Sequence, residues 1–296
     1  MENPFKTTIL RMFCIWNLFL SLLCFCHLSF GQVADGSPER LRYEQRVKTL
    51  RSGGPYADNP DSNVRFIYRP DSAQSRRIRE YFRLDTLLRP GASTWENTLT
   101  LASFVASRIP HANQKIQPPK RNAIALWEYH LRVEPAFNCR LHSIMLHELL
   151  LASGITNRFV TCLPADSRDP DCHVVNIVWL PENKKWAMID SDGSAYVTGA
   201  DGLPLSLEEM RRYTIEGKRM DVRPVEGGKM YDDYLSYWAK NLYWFVCWEE
   251  TGYDKETTPE GRQVYLLPDG FDGFIRKKGV IVRLSDPSRF WAAPEN

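Results

Sequence analysis

Residues 138–160 read NCRLHSIMLHELLLASGITNRFV, and how this stretch folds decides the architecture of the chain. From Cys139 to Ser153 it is apolar on nearly every side, with Leu146, Leu149 and Leu150 on the cysteine's face and Leu141, Ile144, Met145 and Leu151 elsewhere. A helix of that character is buried in the middle of a domain. Asn138 suits its N-cap and Gly154 its end, and NRFVTCL then has the make-up of a strand. A thiol in the first turn faces free backbone amides, so Cys139 is placed where it is easier to ionise.

Downstream, HVVNIVWL (173–180) and KWAMID (185–190) read as two strands joined by a Pro-Glu-Asn-Lys turn, an antiparallel hairpin. Alternation is weak in both, which implies a sheet covered on each face. The hairpin brings Asp190, closing the second strand, to within a residue or two of the point opposite His173, which opens the first. A cysteine nucleophile needs a base, and the base an orienting partner. If the cysteine helix packs on this sheet with its N-terminus at the same edge, Cys139, His173 and Asp190 form such a set.

These three segments, in this order, resemble the transglutaminase-like superfamily of papain-like cysteine enzymes. The resemblance runs over about residues 95–200 and includes the upstream helix TWENTLTLASFVASRI. It implies an α+β fold with a buried cysteine helix packed on an antiparallel β-sheet. It also implies Cys139 as nucleophile, His173 as base and Asp190 as orienting acid. The chain departs from the family in having Phe137-Asn138 before the cysteine, His142 where an aromatic is common, and Ser191 after Asp190. The Cys139 backbone amide is the first choice of oxyanion donor, with Trp127 and Asn138 as side-chain alternatives.

Other residues compete for these roles. Asp192 lies just beyond the strand, in a Ser-Asp-Gly-Ser turn, and is the alternative to Asp190. His142 and His147 share the cysteine helix; Cys139-x-x-His142 has a spacing that a metal could use, but no second compact pair of ligands accompanies it, so no metal or other cofactor is expected. No carboxylate is evident as a partner for His142, and His147 reads as a satisfied histidine.

The first residues read as an address. Lys6 and Arg11 precede an apolar run, FCIWNLFLSLLCFCHLSF, which ends in Ser29-Phe30-Gly31, so residues 1–31 are expected to be a signal peptide cleaved before Gln32, giving a secreted or periplasmic protein. If uncleaved, the run is long enough to anchor the chain in a membrane. The whole chain of 296 residues has a net charge of +2, and removing residues 1–31 with Lys6, Arg11 and Glu2 leaves +1. That offers no field for nucleic acid. Of the four remaining cysteines, Cys162 and Cys172 flank a short polar loop and are the pair best placed to bridge.

Residues 32–94 are expected to form an N-terminal helical elaboration, 95–200 the core, and 201–296 an aromatic-rich extension of the same domain. In that extension, YDDYLSYWAKNLYWFVCWEETGY reads as a core wall or as a groove for sugar or peptide. The expected activity is hydrolysis of an amide in a peptide, protein or glycoprotein, or acyl transfer from it. The alternative is a catalytically inactive module of the same fold that binds peptide or glycan.

Overall fold

The computed structural model describes residues 36–54, 56, 64–256, 261–275 and 280–295. The expected signal peptide falls outside these. Among the described residues no helix is long and apolar enough to cross a membrane.

Ten strands occur among them: β1 (Ile67–Tyr68), β2 (Asn157–Leu163), β3 (His173–Leu180), β4 (Lys185–Ile189), β5 (Ala195–Thr198), β6 (Asp221–Pro224), β7 (Trp244–Trp248), β8 (Glu250–Thr251), β9 (Arg262–Leu266) and β10 (Val280–Leu284). Six form the main sheet, in the order β10-β9-β7-β2-β3-β4. Every neighbouring pair is antiparallel except β9 with β10, so the sheet is mixed at one edge and not wholly antiparallel as expected. The last strand returns alongside β9 in the same direction, which needs a crossover and not a tight turn. Three of the six strands come from beyond residue 200.

The hairpin forms as read, with Asn176 opposite Ile189 and Leu180 opposite Lys185. Residues alternate between two cores. Val174, Val178, Ala187 and Ile189 face one; Val175, Ile177, Trp186 and Met188 face the other. Both faces are therefore covered, which is why neither strand shows a polar side.

The cysteine helix, Cys139–Ala152, lies in the first core with the helices Ser72–Phe82, Thr94–Ala106 and Ala123–Arg132. Leu141, Met145, Leu146, Leu149 and Leu150 are all within 1 % of full burial, as an all-round apolar helix requires. Its Asn138 cap accepts from the Leu141 amide at 3.1 Å. Two hydrogen bonds lock it to β3: Ser143 Oγ donates to the Val174 carbonyl at 2.7 Å, and Asn176 Nδ2 donates to the Ser143 carbonyl at 3.0 Å. Glu148 ties it to two further elements, accepting from the amide of Ala123 at 2.7 Å and of Asp254 at 2.8 Å. The architecture is α+β, and a cysteine helix buried on a largely antiparallel sheet is consistent with a papain-like fold.

The aromatic-rich stretch splits in two. Its first half is the helix Tyr234–Asn241, packed on the second core, and its second half is β7. Trp238, Phe245 and Trp248 are core residues. Tyr231 and Tyr237 instead line a cleft beside Cys139.

Candidate functional site

Cys139 opens its helix where three segments meet. The segment before it pairs with residues 110–112: the Ala112 amide donates to the Phe137 carbonyl at 2.8 Å and the Phe137 amide to the Pro110 carbonyl at 2.9 Å. Gln114 braces the same turn, its Nε2 donating to the Ala136 carbonyl at 2.7 Å and its Oε1 accepting from the Asn138 amide at 3.2 Å. This pairing carries His111 alongside the cysteine. From the other side, the Cys172 carbonyl lies 4.0 Å from the Cys139 sulfur. The loop holding Cys172 is pinned by Lys240, whose Nζ donates to Asp169 Oδ2 at 3.1 Å and to Asp171 Oδ2 at 2.5 Å.

His173 is the first residue of β3, and Asp190 follows the last residue of β4. Extending the β3–β4 register places Asp190 opposite Val175, two residues from His173 and on the same side of the strand. The two side chains meet diagonally, with His173 Nε2 at 2.7 Å from Asp190 Oδ2. Asp190 is completely buried and is held by two more donors, the Tyr234 hydroxyl at 3.0 Å and the Gly193 amide at 2.7 Å. Because Asp190 occupies Nε2, Nδ1 is the nitrogen left for the thiol. Burial works against a charge on His173, but the Asp190 carboxylate and Cys139 outweigh it and hold the imidazole pKa well above its ordinary value. The His173 ring is boxed by Tyr237 and Trp238, at centroid distances of 5.3 and 5.4 Å.

Asp192 reaches the same place from the turn after β4. One of its carboxylate oxygens, a nitrogen of His173 and the Cys139 sulfur all lie within 4.8 Å of one another. Asp192 does not touch His173 through the hairpin as Asp190 does. Its partners are His111 Nδ1, at 2.8 Å from Oδ1, and the Tyr231 hydroxyl. The hydrogen bond to Asp192 raises the pKa of His111. Burial alone would raise that of Asp192, yet His111, the nearby imidazoles and Tyr231 leave it lowered. His142, expected to have no carboxylate neighbour, lies with Nε2 at 3.5 Å from Asp192 Oδ1. Burial keeps its pKa low and the ring neutral.

Cys139, His173, Asp192, His111, Tyr231 and Tyr237 are among the residues lining a cleft of about 710 Å³. A second cavity of about 460 Å³, with an aromatic and aliphatic wall that also carries Arg168, Asp169 and Gln263, opens beside it and shares Arg140, Pro170 and Cys172 with it. Trp244, Val246, Trp248 and Tyr265, all buried, line it, as does Phe274, which is 64 % exposed. Arg140, between the two cavities, is ion-paired with Glu256 at 3.1 Å.

Other expectations meet different surroundings. Trp127 packs among Phe82, Phe104 and His130, and does not line the cleft, so it has no access to an oxyanion there. Asn138 does line the cleft; its Oδ1 is the helix cap, so a donor role there falls to its Nδ2. His147 is satisfied, with Nδ1 at 2.7 Å from Asn157 Oδ1. All four described cysteines are free thiols. Cys162 is the register partner of His173 but points into the second core, whereas Cys172 lines the cleft, so the two do not bridge. His111, Tyr231 and Tyr234 were not legible as site residues; a histidine after a proline in RIPHANQ carries no motif, and the tyrosines were hidden in an aromatic run.

No protein-family model matches the chain, and no curated protein matches it. Among solved structures it is similar to the crystal structure of a candidate cysteine protease from Cytophaga hutchinsonii, with a TM-score of 0.32 and 12 % identity over 60 % of this chain. The match spans 64 % of that protein, under two thirds of its length. A superposition that loose carries no weight for function. What the cleft itself shows is a cysteine-enzyme arrangement: a thiol at a helix N-terminus, an imidazole, and a buried carboxylate on the far side of the imidazole.

Proposed function

We propose that this chain is an exported cysteine hydrolase of the transglutaminase-like kind, acting on an amide bond in a peptide or protein. The observation that carries the reading is the 2.7 Å contact between His173 Nε2 and Asp190, which leaves Nδ1 for Cys139 in an open cleft. Residues 1–31 serve as the export signal.

In this reading Cys139 and His173 exist as a thiolate–imidazolium pair, favoured by Asp190 and by the helix N-terminus. The thiolate attacks the amide carbonyl. Charge developing on the carbonyl oxygen falls near the Cys139 backbone amide, the first of the helix. His173 Nδ1 then gives its proton to the departing amine as the C–N bond breaks, leaving a thioester. Water deprotonated by the same nitrogen attacks that thioester and frees the thiol and a carboxylic acid; an amine in place of water would give transfer. Asp190 takes no proton and fixes the ring.

The aromatic residues of the cavity adjoining the cleft, Trp244, Trp248, Tyr265 and Phe274 among them, support a substrate with a large apolar group next to the reacting carbonyl. The cavity's size falls within the range of small-molecule sites, about 300–1,000 Å³. The test is a screen of fluorogenic peptide amides with the wild-type chain and Cys139→Ala. Release that requires Cys139 supports the proposal, and release that persists without it, or none across the screen, refutes it.

A further inference from the structure

Asp192 has no part in the acyl-transfer scheme, yet it is a buried carboxylate facing the nucleophile. A negative charge there gives nothing to a second negative charge on sulfur. Its partners hold it firmly: His111 and Tyr231 both engage the carboxylate, and 5 % of the residue is exposed. His111 Nδ1 contacts both oxygens, at 2.8 and 3.1 Å, and a carboxylate has about four acceptor sites, so these partners do not exhaust it.

The three atoms that converge are a sulfur, an imidazole nitrogen and a carboxylate oxygen, all within 4.8 Å of one another. Those are the donor types zinc takes, at bond lengths of about 2.0–2.3 Å. Tetrahedral zinc would set them roughly 3.5 Å apart, so no separation would need to close by more than about 1.3 Å. The surroundings match too. A zinc-ligating imidazole donates its far N–H to a carboxylate, which fixes the tautomer and aims the near nitrogen at the metal. His173 does this through Asp190 at 2.7 Å. A neutral set results, with one thiolate and one carboxylate balancing the dication. All three residues line the open cleft, so an ion held by them would be within reach of solvent.

We infer that the cleft is also a reversible zinc-binding site, with Cys139 Sγ, His173 Nδ1 and Asp192 as ligands. This rests on the proposed catalytic pairing only for the orientation of His173. Zinc replaces the proton on Nδ1 of the thiolate–imidazolium pair, releasing one proton to solvent, so binding weakens as pH falls. Occupancy and acyl transfer exclude each other, because the metal takes both the nucleophilic lone pair and the base. Asp192 is the residue that turns a two-ligand contact into a site. The ligands are not the Cys139-x-x-His142 pair suggested by sequence spacing, since His142 is not among the residues lining the cleft or converging on the sulfur.

The measurement is equilibrium zinc binding to the purified full chain by competition with a chromophoric chelator, paired with the visible and near-ultraviolet spectrum of the cobalt(II) form. One equivalent of zinc is expected, with a thiolate-to-cobalt charge-transfer band that disappears in Cys139→Ser. Asp192→Asn, nearly isosteric, is expected to weaken zinc at least 10-fold. Bound zinc should protect Cys139 from iodoacetamide. Equal affinities for wild type and Asp192→Asn overturn the proposal, as does a cobalt spectrum without the charge-transfer band, or a loss confined to His142→Gln. Iodoacetamide kinetics on the metal-free chain separate the two readings. Slow alkylation with intact zinc binding removes the enzyme and keeps the site; fast alkylation with no zinc binding does the reverse.

Discussion

Replacing Asp190 with asparagine keeps the shape of a completely buried side chain and changes only what it offers its three donors. In the native site these are His173 Nε2, the Tyr234 hydroxyl and the Gly193 amide. Gly193 meets Oδ1 and the other two meet Oδ2, so the amide oxygen of asparagine stays with Gly193 and its NH₂ faces His173. The imidazole must then accept at Nε2, which moves its proton to Nδ1, against the sulfur. That tautomer cannot take a proton from the thiol. The charge-assisted bond that is lost is worth about 1.5–3 kcal/mol. At 1.36 kcal/mol per decade this becomes a fall of roughly 10- to 100-fold in the rate of the thiolate–imidazolium pair. The assay is alkylation of Cys139 by iodoacetamide from pH 5 to 10. In wild type, the raised His173 pKa keeps the imidazolium present through neutral pH, so reactivity extends into the acid range. In Asp190→Asn the acid limb should drop by that factor, and the two curves should meet near pH 10, where any thiol is ionised. Unchanged reactivity at pH 6 in a folded variant would refute the role given to Asp190.

Cys139→Ala is expected to abolish amide-directed activity without unfolding the chain and His173→Gln to come close to that, whereas Asp190→Asn should be milder; steady-state rates alongside circular dichroism check this order. Burial raises the Glu148 pKa from 4.5 to about 7, against the pull of the Ala123 and Asp254 amides. The stability contributed by its neutral form is therefore complete below pH 4.5 and lost as pH rises through 7. At 1.36 kcal/mol per pKa unit the loss is about 3 kcal/mol. Urea unfolding at pH 5 and pH 8 should show that slope in wild type and lack it in Glu148→Gln; equal slopes refute it. Phe274→Ala, at an exposed position, should leave stability within about 0.5 kcal/mol and lower the preference for aromatic over small acyl-side residues about 5-fold, read as a ratio of kcat/KM values.

Much of the central architecture was legible because three local signals agreed. The cysteine helix is apolar all round, the two following strands share one turn, and Asn138 caps the helix as read. The diagonal meeting of His173 and Asp190 followed from counting residues around that turn. What sequence could not carry was the contribution of distant chain. The helix Ala123–Arg132 and the strand β9 were not foreseen, and the parallel docking of β10 on β9 depends on a crossover with no local signature. His111 reaches the cleft through a single bridge to Phe137, a long-range pairing that no periodicity announces. Asp192 was legible as a competitor of Asp190, but its place near the thiol depends on the turn after β4 and on its contacts with Tyr231 and His111, which come from distant chain.

The central claim is that Cys139 is a nucleophile served by His173. Its most direct test is labelling of the native chain with peptidyl acyloxymethyl ketones, whose poor leaving group demands an activated, oriented thiolate, followed by mass-spectrometric mapping. The account expects one stoichiometric thioether on Cys139, formed fastest with a large apolar residue next to the ketone, and none in urea or in His173→Gln. Absence of labelling across the panel, with iodoacetamide reacting at Cys139 no faster than with an ordinary thiol, would contradict it.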